Sequence, residues 1–281
     1  MRRIIARTGV AAVAVAAAVT CLVSQAGIAS AAAQTRTPSV TPPPTTTSST
    51  ADSPICYYGA CYNYVYGIQE TTNTGASVTT SVEDPHISRS DYYGHSLQEL
   101  AVMTTDENFI VEVGWTVDDS LNGNYLPHLF VYHWVDGAET CYNGCGFVQV
   151  KSPYSPGMVL RPGSVINFAY KQIGGNWWVF VNHVPMGYFP GSIWDDAYPT
   201  ANDVEIFGEV EDATAPTCNP MGNGEWGTWR WSSFFTGYRL YGASVRASWD
   251  SLDETASDYY TFGEVTPTSF HLGGPGDPAA C

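Results

Sequence analysis

The nine residues Phe109–Val117, FIVEVGWTV, constrain the chain more than any other stretch. They are mostly β-branched or aromatic and follow the polar turn Thr105-Asp106-Glu107-Asn108, so they read as a β-strand. Strand side chains alternate between faces. Phe109, Val111, Val113, Trp115 and Val117 therefore make one fully apolar face, and Ile110, Glu112, Gly114 and Thr116 make the other. Glu112 is the odd residue. A charge amid such surface is costly unless solvated, paired or protonated.

The rest of the chain has the same character. Strands are expected over Ser77–Val82, Phe109–Val117, Leu129–Val135, Phe147–Val150, Val165–Lys171, Trp177–Asn182, Val204–Val210 and Gly237–Ala247. Turn signals divide them at Asn122-Gly123-Asn124, Asn143-Gly144, Arg161-Pro162-Gly163 and Gly174-Gly175-Asn176, the last a hairpin signal. His95–Met103, HSLQELAVM, suits a short helix or an edge strand equally well. Many short strands separated by Gly, Pro and Asn predict an all-β fold, an antiparallel β-sandwich of two packed, curved sheets.

Three segments are expected. Residues 1–33 have the layout of a secretory signal peptide, with Arg2, Arg3 and Arg7 ahead of an apolar run from Val10 to Val23 and then small residues. Residues 34–54 are rich in Pro, Thr and Ser and form a linker. Residues 55–281 form the folded domain. Loss of 1–33 leaves 8 basic residues (11 less those 3 arginines) against 27 acidic ones, a net charge of 8 − 27 = −19. Such a surface repels nucleic acid and anionic membrane.

Six cysteines remain after Cys21 is removed with the signal: Cys56, Cys61, Cys141, Cys145, Cys218 and Cys281. Two close pairs and a distant one suggest Cys56–Cys61, Cys141–Cys145 and Cys218–Cys281, one of fifteen possible pairings. Zinc is the competing reading, disfavoured in an oxidising compartment.

Most catalytic motifs are missing. No G-x-S-x-G elbow, H-x-x-x-H pair or phosphate-binding glycine loop occurs, and Gly187–Ser192 reads as a loop. Carboxylates remain. In Val204–Val210, VEIFGEV, Glu205, Phe207 and Glu209 alternate with apolar residues, which by periodicity alone describes a polar outer face. Glu209 follows Gly208, which permits close approach of another chain. Two carboxyls facing across a cleft split their proton affinities into an acid and a base that can activate water. That chemistry serves peptide and glycosidic bonds alike. The 9 Trp and 18 Tyr fit either a two-sheet core with an aromatic rim or a groove for a peptide or glycan. A glycan-binding or glycan-cleaving sandwich, and a non-catalytic surface protein of the same fold, are the alternatives.

The order and content of HSLQELAV, IVEVGWTVD, LFVYHWVDG, CYNGCGFVQV, GGNWWVFVN, GYFPGSIW, FGEV, MGNGEW and GGPGDPAAC resemble the neprosin domain, from about Gly75 to Cys281. Its founding members are plant-secreted glutamic peptidases that cleave after proline. The resemblance implies an antiparallel β-sandwich with two catalytic glutamates in a cleft on one sheet, here Glu112 and Glu209. It also implies the Cys141–Cys145 disulfide and a paired terminal cysteine, for which Cys218 is the expected partner of Cys281. The long pro-region of plant relatives is represented only by the linker and Ile55–Thr74. The expectation is thus a secreted, extracellular, monomeric glutamic endopeptidase acting on peptides at acidic pH without metal or cofactor. Trp115, Tyr132 and Trp134 are its candidate groove residues.

Overall fold

Sixteen strands in two antiparallel sheets account for nearly all of the regular structure in this computed structural model, which describes residues 55–57, 60–88, 94–213, 217–277 and 279. The expected signal and linker, residues 1–33 and 34–54, lie outside the described residues. In chain order the first eight strands are β1 (Ile55–Tyr57), β2 (Ala60–Asn73), β3 (Gly75–Ser81), β4 (His95–Met103), β5 (Phe109–Val117), β6 (Pro127–Val135), β7 (Ala138–Glu139) and β8 (Val148–Gln149). The others are β9 (Val165–Ile173), β10 (Asn176–Val181), β11 (Val184–Phe189), β12 (Ala201–Asp212), β13 (Ser233–Leu240), β14 (Ser251–Glu254), β15 (Thr261–Thr266) and β16 (Ser269–Gly273). One sheet runs β1-β2-β12-β4-β5-β6-β7, with β14 also paired to β2; the other runs β15-β16-β13-β3-β9-β10-β11-β8. The predicted antiparallel sandwich is the observed fold.

The apolar face of β5 packs inward as its alternation requires. Val111, Val113, Trp115 and Val117 join Val102, Leu129, Val131, Val204 and Ile206 of their sheet against Val78, Phe168, Tyr170, Trp177, Val179 and Phe235 of the other. Each buried aliphatic or aromatic side chain contributes about 1.5–3 kcal/mol by leaving water. Polar tips in this core are bonded: Trp177 Nε1 donates to the Tyr198 carbonyl at 2.9 Å, and Trp115 Nε1 to the Ser81 carbonyl at 2.9 Å. The β9–β10 hairpin turns through Gly174 (φ 60°) and Gly175 (φ 83°), the left-handed pair that a two-residue hairpin demands.

Several sequence expectations change. His95–Met103 is a strand with all nine residues buried, between β12 and β5 in the middle of a sheet. Its adjacent Gln98 and Glu99 obscure the alternation in the sequence, but ladder pairing on both sides fixes the extended form. Gly187-Tyr188-Phe189 belongs to β11, not to a loop. The strand expected over Phe147–Val150 shrinks to Val148–Gln149. The one placed at Gly237–Ala247 starts earlier and stops at Leu240, and Gly237 (φ 65°) lies in a register shift within it, between Thr236 and Arg239. Ile55–Thr74 is mostly the long strand β2, paired along β12 and integral to the sheet. Cys56–Cys61 and Cys141–Cys145 are disulfides, which displaces the zinc reading for them. Cys218 is disulfide-bonded, while Cys281 lies outside the described residues.

Trp177→Ala removes a fully buried indole and orphans the Tyr198 carbonyl. We expect a loss of about 3–5 kcal/mol, measured as a lowered midpoint in urea unfolding.

Candidate active site

Residues opposite one another in a sheet share a face, so the ladders of β2, β12, β4, β5 and β6 assign the site residues directly. One cross-strand row holds Tyr64, Glu209, Leu97, Thr116 and His128. The next holds Tyr66, Phe207, Glu99, Gly114 and Phe130, and a third Ile68, Glu205, Ala101, Glu112 and Tyr132. Glu211 and His95 pair one row beyond Glu209. This face points away from the inter-sheet core and carries its own apolar cluster, including Tyr62, Tyr64, Phe130, Tyr132, Trp134 and Phe207. Glu99, Glu112, Glu205 and Glu209 all have zero exposure within it. The polar outer face suggested by periodicity is therefore a buried one.

Two glycines make this packing possible. A Cβ on Gly114 would collide with the Gln98 carbonyl and with Glu99 Cβ, so the glycine leaves room for the Glu99 side chain. A Cβ on Gly208 would meet Leu272 and Met221, so the residue before Glu209 admits the opposite sheet. Behind Glu112, the Tyr170 hydroxyl of β9 donates to the Glu112 carbonyl at 2.9 Å and ties β5 to the core.

The two expected catalytic glutamates sit in unequal surroundings. Glu209 Oε1 lies 2.6 Å from His95 Nε2, and Tyr64 also bonds the Glu209 side chain. His95 Nδ1 lies 2.7 Å from Glu211 Oε2, within ion-pair distance. Burial opposes charge on His95, but Glu211 and Glu209 outweigh it and push its pKa up to about 10. Burial raises the Glu209 pKa, against the pull of His95 and Tyr64. Glu112 has less support: Trp134 Nε1 donates to its Oε1 at 3.0 Å, and Oε2 has no hydrogen-bond partner. Burial, opposed by Trp134 and reinforced by the Glu209 charge, pushes Glu112 up to about 8.

Of the expected groove residues, Tyr132 and Trp134 lie on this face, their rings 5.8 Å apart. Trp115 does not. An odd offset from Glu112 turns it into the inter-sheet core, where it is fully buried against Ser81, and it is removed from the groove set. Sequence reasoning also passed over Tyr142. The Cys141–Cys145 loop places it 4.8 Å from the Tyr132 ring and 5.4 Å from Phe130. His95 and Glu99 were hidden by the ambiguous reading of β4; once it is extended, alternation puts both beside Glu209. No group of metal-ligating side chains is found among the described residues.

Fold and face together define a class: an antiparallel β-sandwich bearing a buried carboxyl cluster on one sheet, its members set to hold protons unequally. The Neprosin family model matches residues 93–275, more than half of the chain. The chain belongs to the neprosin family, and membership supports a glutamic-type peptidase. Among solved structures it is similar to Scytalido-glutamic peptidase with a peptide-based transition-state analogue, at 10% identity over 75% of this chain and 96% of that one, TM-score 0.43. It is also similar to SCP-B, a member of the Eqolisin family in complex with the tripeptide Ala-Ile-His, at 9% identity over 75% and 96%, TM-score 0.40. Chicken galectin 2 matches at 7% identity over 52% and 92%, TM-score 0.31.

The raised pKa values fix the sign of the pH dependence. Folded Glu112 keeps a proton that the unfolded chain releases above about 4.5, so its contribution to stability is lost as pH rises through about 8. His95 contributes fully below 6.5 and loses that contribution as pH rises through about 10. Asp203, raised to about 7 by burial, acts in the same direction. Thermal unfolding followed by circular dichroism should therefore show Tm falling steadily from pH 5 to pH 9.

Proposed function

We propose that this protein is a secreted glutamic endopeptidase that hydrolyses peptide bonds, after proline, with Glu112 and Glu209 as its catalytic residues. The observation that carries this reading is the unequal support of the two carboxyls. Burial raises the Glu209 pKa, but pairing with a protonated His95 and a bond from Tyr64 oppose that rise and support its ionised form. Glu112 is buried with one indole donor, which favours its neutral form.

In this reading Glu209 is the base. It takes a proton from water as the water oxygen bonds to the scissile carbonyl carbon, and negative charge moves onto the carbonyl oxygen. Glu112, neutral, donates toward that oxygen. When the tetrahedral intermediate collapses, the C–N bond breaks and the leaving nitrogen takes a proton from the acid. Tyr132 and Trp134 flank Glu112 and line the approach to it. The carboxyls are buried, so cleavage requires this face to be uncovered for substrate. Activity falls as Glu112 loses its proton, so it declines as pH rises through about 8.

Two disulfides fit the oxidising compartment that secretion implies. Among the described residues no helix is long and apolar enough to cross a membrane. The acidic surface favours a monomer acting on peptide or protein substrates over any nucleic-acid partner.

The test is cleavage of a proline-containing peptide library by purified protein between pH 3 and pH 8, read by mass spectrometry. Glu112→Gln and Glu209→Gln should each lower kcat by at least about a thousandfold while retaining the wild-type circular dichroism spectrum. Unchanged cleavage by either variant, or inhibition by chelator, would refute the assignment. Cuts at residues other than proline would refute the specificity alone.

A further inference from the structure

Glu112 and Glu209 are not neighbours in the sheet. They lie on β5 and β12, the two strands flanking β4, and Glu209 is in the row of Thr116, four residues along from Glu112. With strands about 4.8 Å apart and about 3.3 Å per residue, their Cα atoms would be roughly 16 Å apart in a flat sheet. Sheet curvature and two long side chains shorten the gap, but something must occupy its middle. The residue at the midpoint of the diagonal is Glu99. It pairs with Phe207 on one side and Gly114 on the other, which makes it a diagonal neighbour of Glu209, Glu205 and Glu112 at once.

Glu99 is fully buried, and neither carboxyl oxygen has a hydrogen-bond partner. His95, on the same face of β4, is engaged by Glu209 and Glu211. Gly114 has given up its side chain to make room for this one. A buried carboxyl with nothing to bond is costly, and an apolar side chain of the same length would suit the surrounding Leu97, Ala101, Phe130 and Phe207 better. Such a group is expected where a ligand supplies the missing partner.

The geometry points to Glu99 as a third catalytic carboxyl, a neutral acid that donates a hydrogen bond to the oxygen on which negative charge develops at the scissile carbonyl. A water and a carbonyl held between Glu209 and Glu112 would lie over Glu99. Its donated bond strengthens as charge builds on that oxygen and relaxes when the intermediate collapses, without proton transfer. Glu112 is then free to protonate the leaving nitrogen. Burial, together with the charges of Glu112, Glu209 and Glu205, holds the Glu99 pKa well above the ordinary carboxylate range, in keeping with a neutral donor. The tyrosines facing it from β2, Tyr64 and Tyr66, have pKa values raised by burial and also stay neutral. This assignment rests on the peptidase reading.

The experiment compares wild type, Glu99→Met and Glu99→Gln on one cleaved peptide, with Glu112→Gln as the reference for that reading. Glu99→Met keeps the length but removes the donor, and should lower kcat by about a hundredfold or more with KM little changed. Its Tm should equal or exceed wild type, a combination that a merely structural residue would not give. Glu99→Gln keeps an N–H donor and should recover kcat to within about tenfold of wild type. Glu99→Met turning over within about twofold of wild type overturns the proposal, as does loss of kcat together with a lowered Tm that Glu99→Gln fails to restore. Independently of turnover, the infrared band of a neutral carboxyl, absent from Glu99→Gln, should persist at pH 7, and an ionised Glu99 there overturns the proposal. A wild type that cleaves nothing, or a fully active Glu112→Gln, fails the underlying peptidase reading and the Glu99 assignment with it.

Discussion

Carboxyl groups taken out of water must be paired or protonated, and one face of the β2-β12-β4-β5-β6 sheet removes four of them at once. Glu99, Glu112, Glu205 and Glu209 share that face, and His95 is its cationic partner among the described residues. One imidazolium cannot balance four acids. It is spent on Glu209 and Glu211, and the acids left over are pushed toward their neutral forms by burial and mutual repulsion. The division between ionised and neutral carboxyls therefore follows from where the histidine stands, on β4 opposite Glu211 and within reach of Glu209.

The opposite face of the same strands makes this arrangement affordable. Val111, Val113, Trp115, Val204 and Ile206 alternate with the acidic residues and bury their side chains against β3, β9, β10 and β13. The stability gained there supports a face that would not hold itself together. Contacts through the sheet are specific as well. Tyr170 reaches across the core to the Glu112 carbonyl, and Leu272 occupies the space that a side chain on Gly208 would fill. Glu112 and Glu209 are thus held by backbone packed from behind.

Aromatic side chains supply the walls. Tyr62 and Tyr64 flank Glu209 from β2, and Tyr132 and Trp134 flank Glu112 from β6. Tyr142 is delivered from outside the sheet by a loop closed with the Cys141–Cys145 disulfide. The long strand β2 thus contributes directly to the site. A segment that resembled a remnant of a pro-region is a structural wall of the carboxyl face.

Local chemistry in the sequence determined the strands, the β9–β10 turn, the class of sandwich and the suspicion attached to Glu112. Period-two alternation and paired glycines act over a few residues and are visible without partners. The motif around VEVGW and FGEV also singled out Glu112 and Glu209 through the neprosin resemblance. The alternation that marks Glu112 as unusual also puts Trp115 on the other face. What the sequence could not supply was register between strands distant in the chain. Glu99 stands beside Gly114 and Phe207, and His95 beside Glu211, only because β4 pairs with β5 on one edge and β12 on the other. Long-range ladder bonds decide that pairing, and they alone turned scattered acids into a cluster, made a polar-looking face a buried one, and gave a histidine with no local motif two carboxylates to hold.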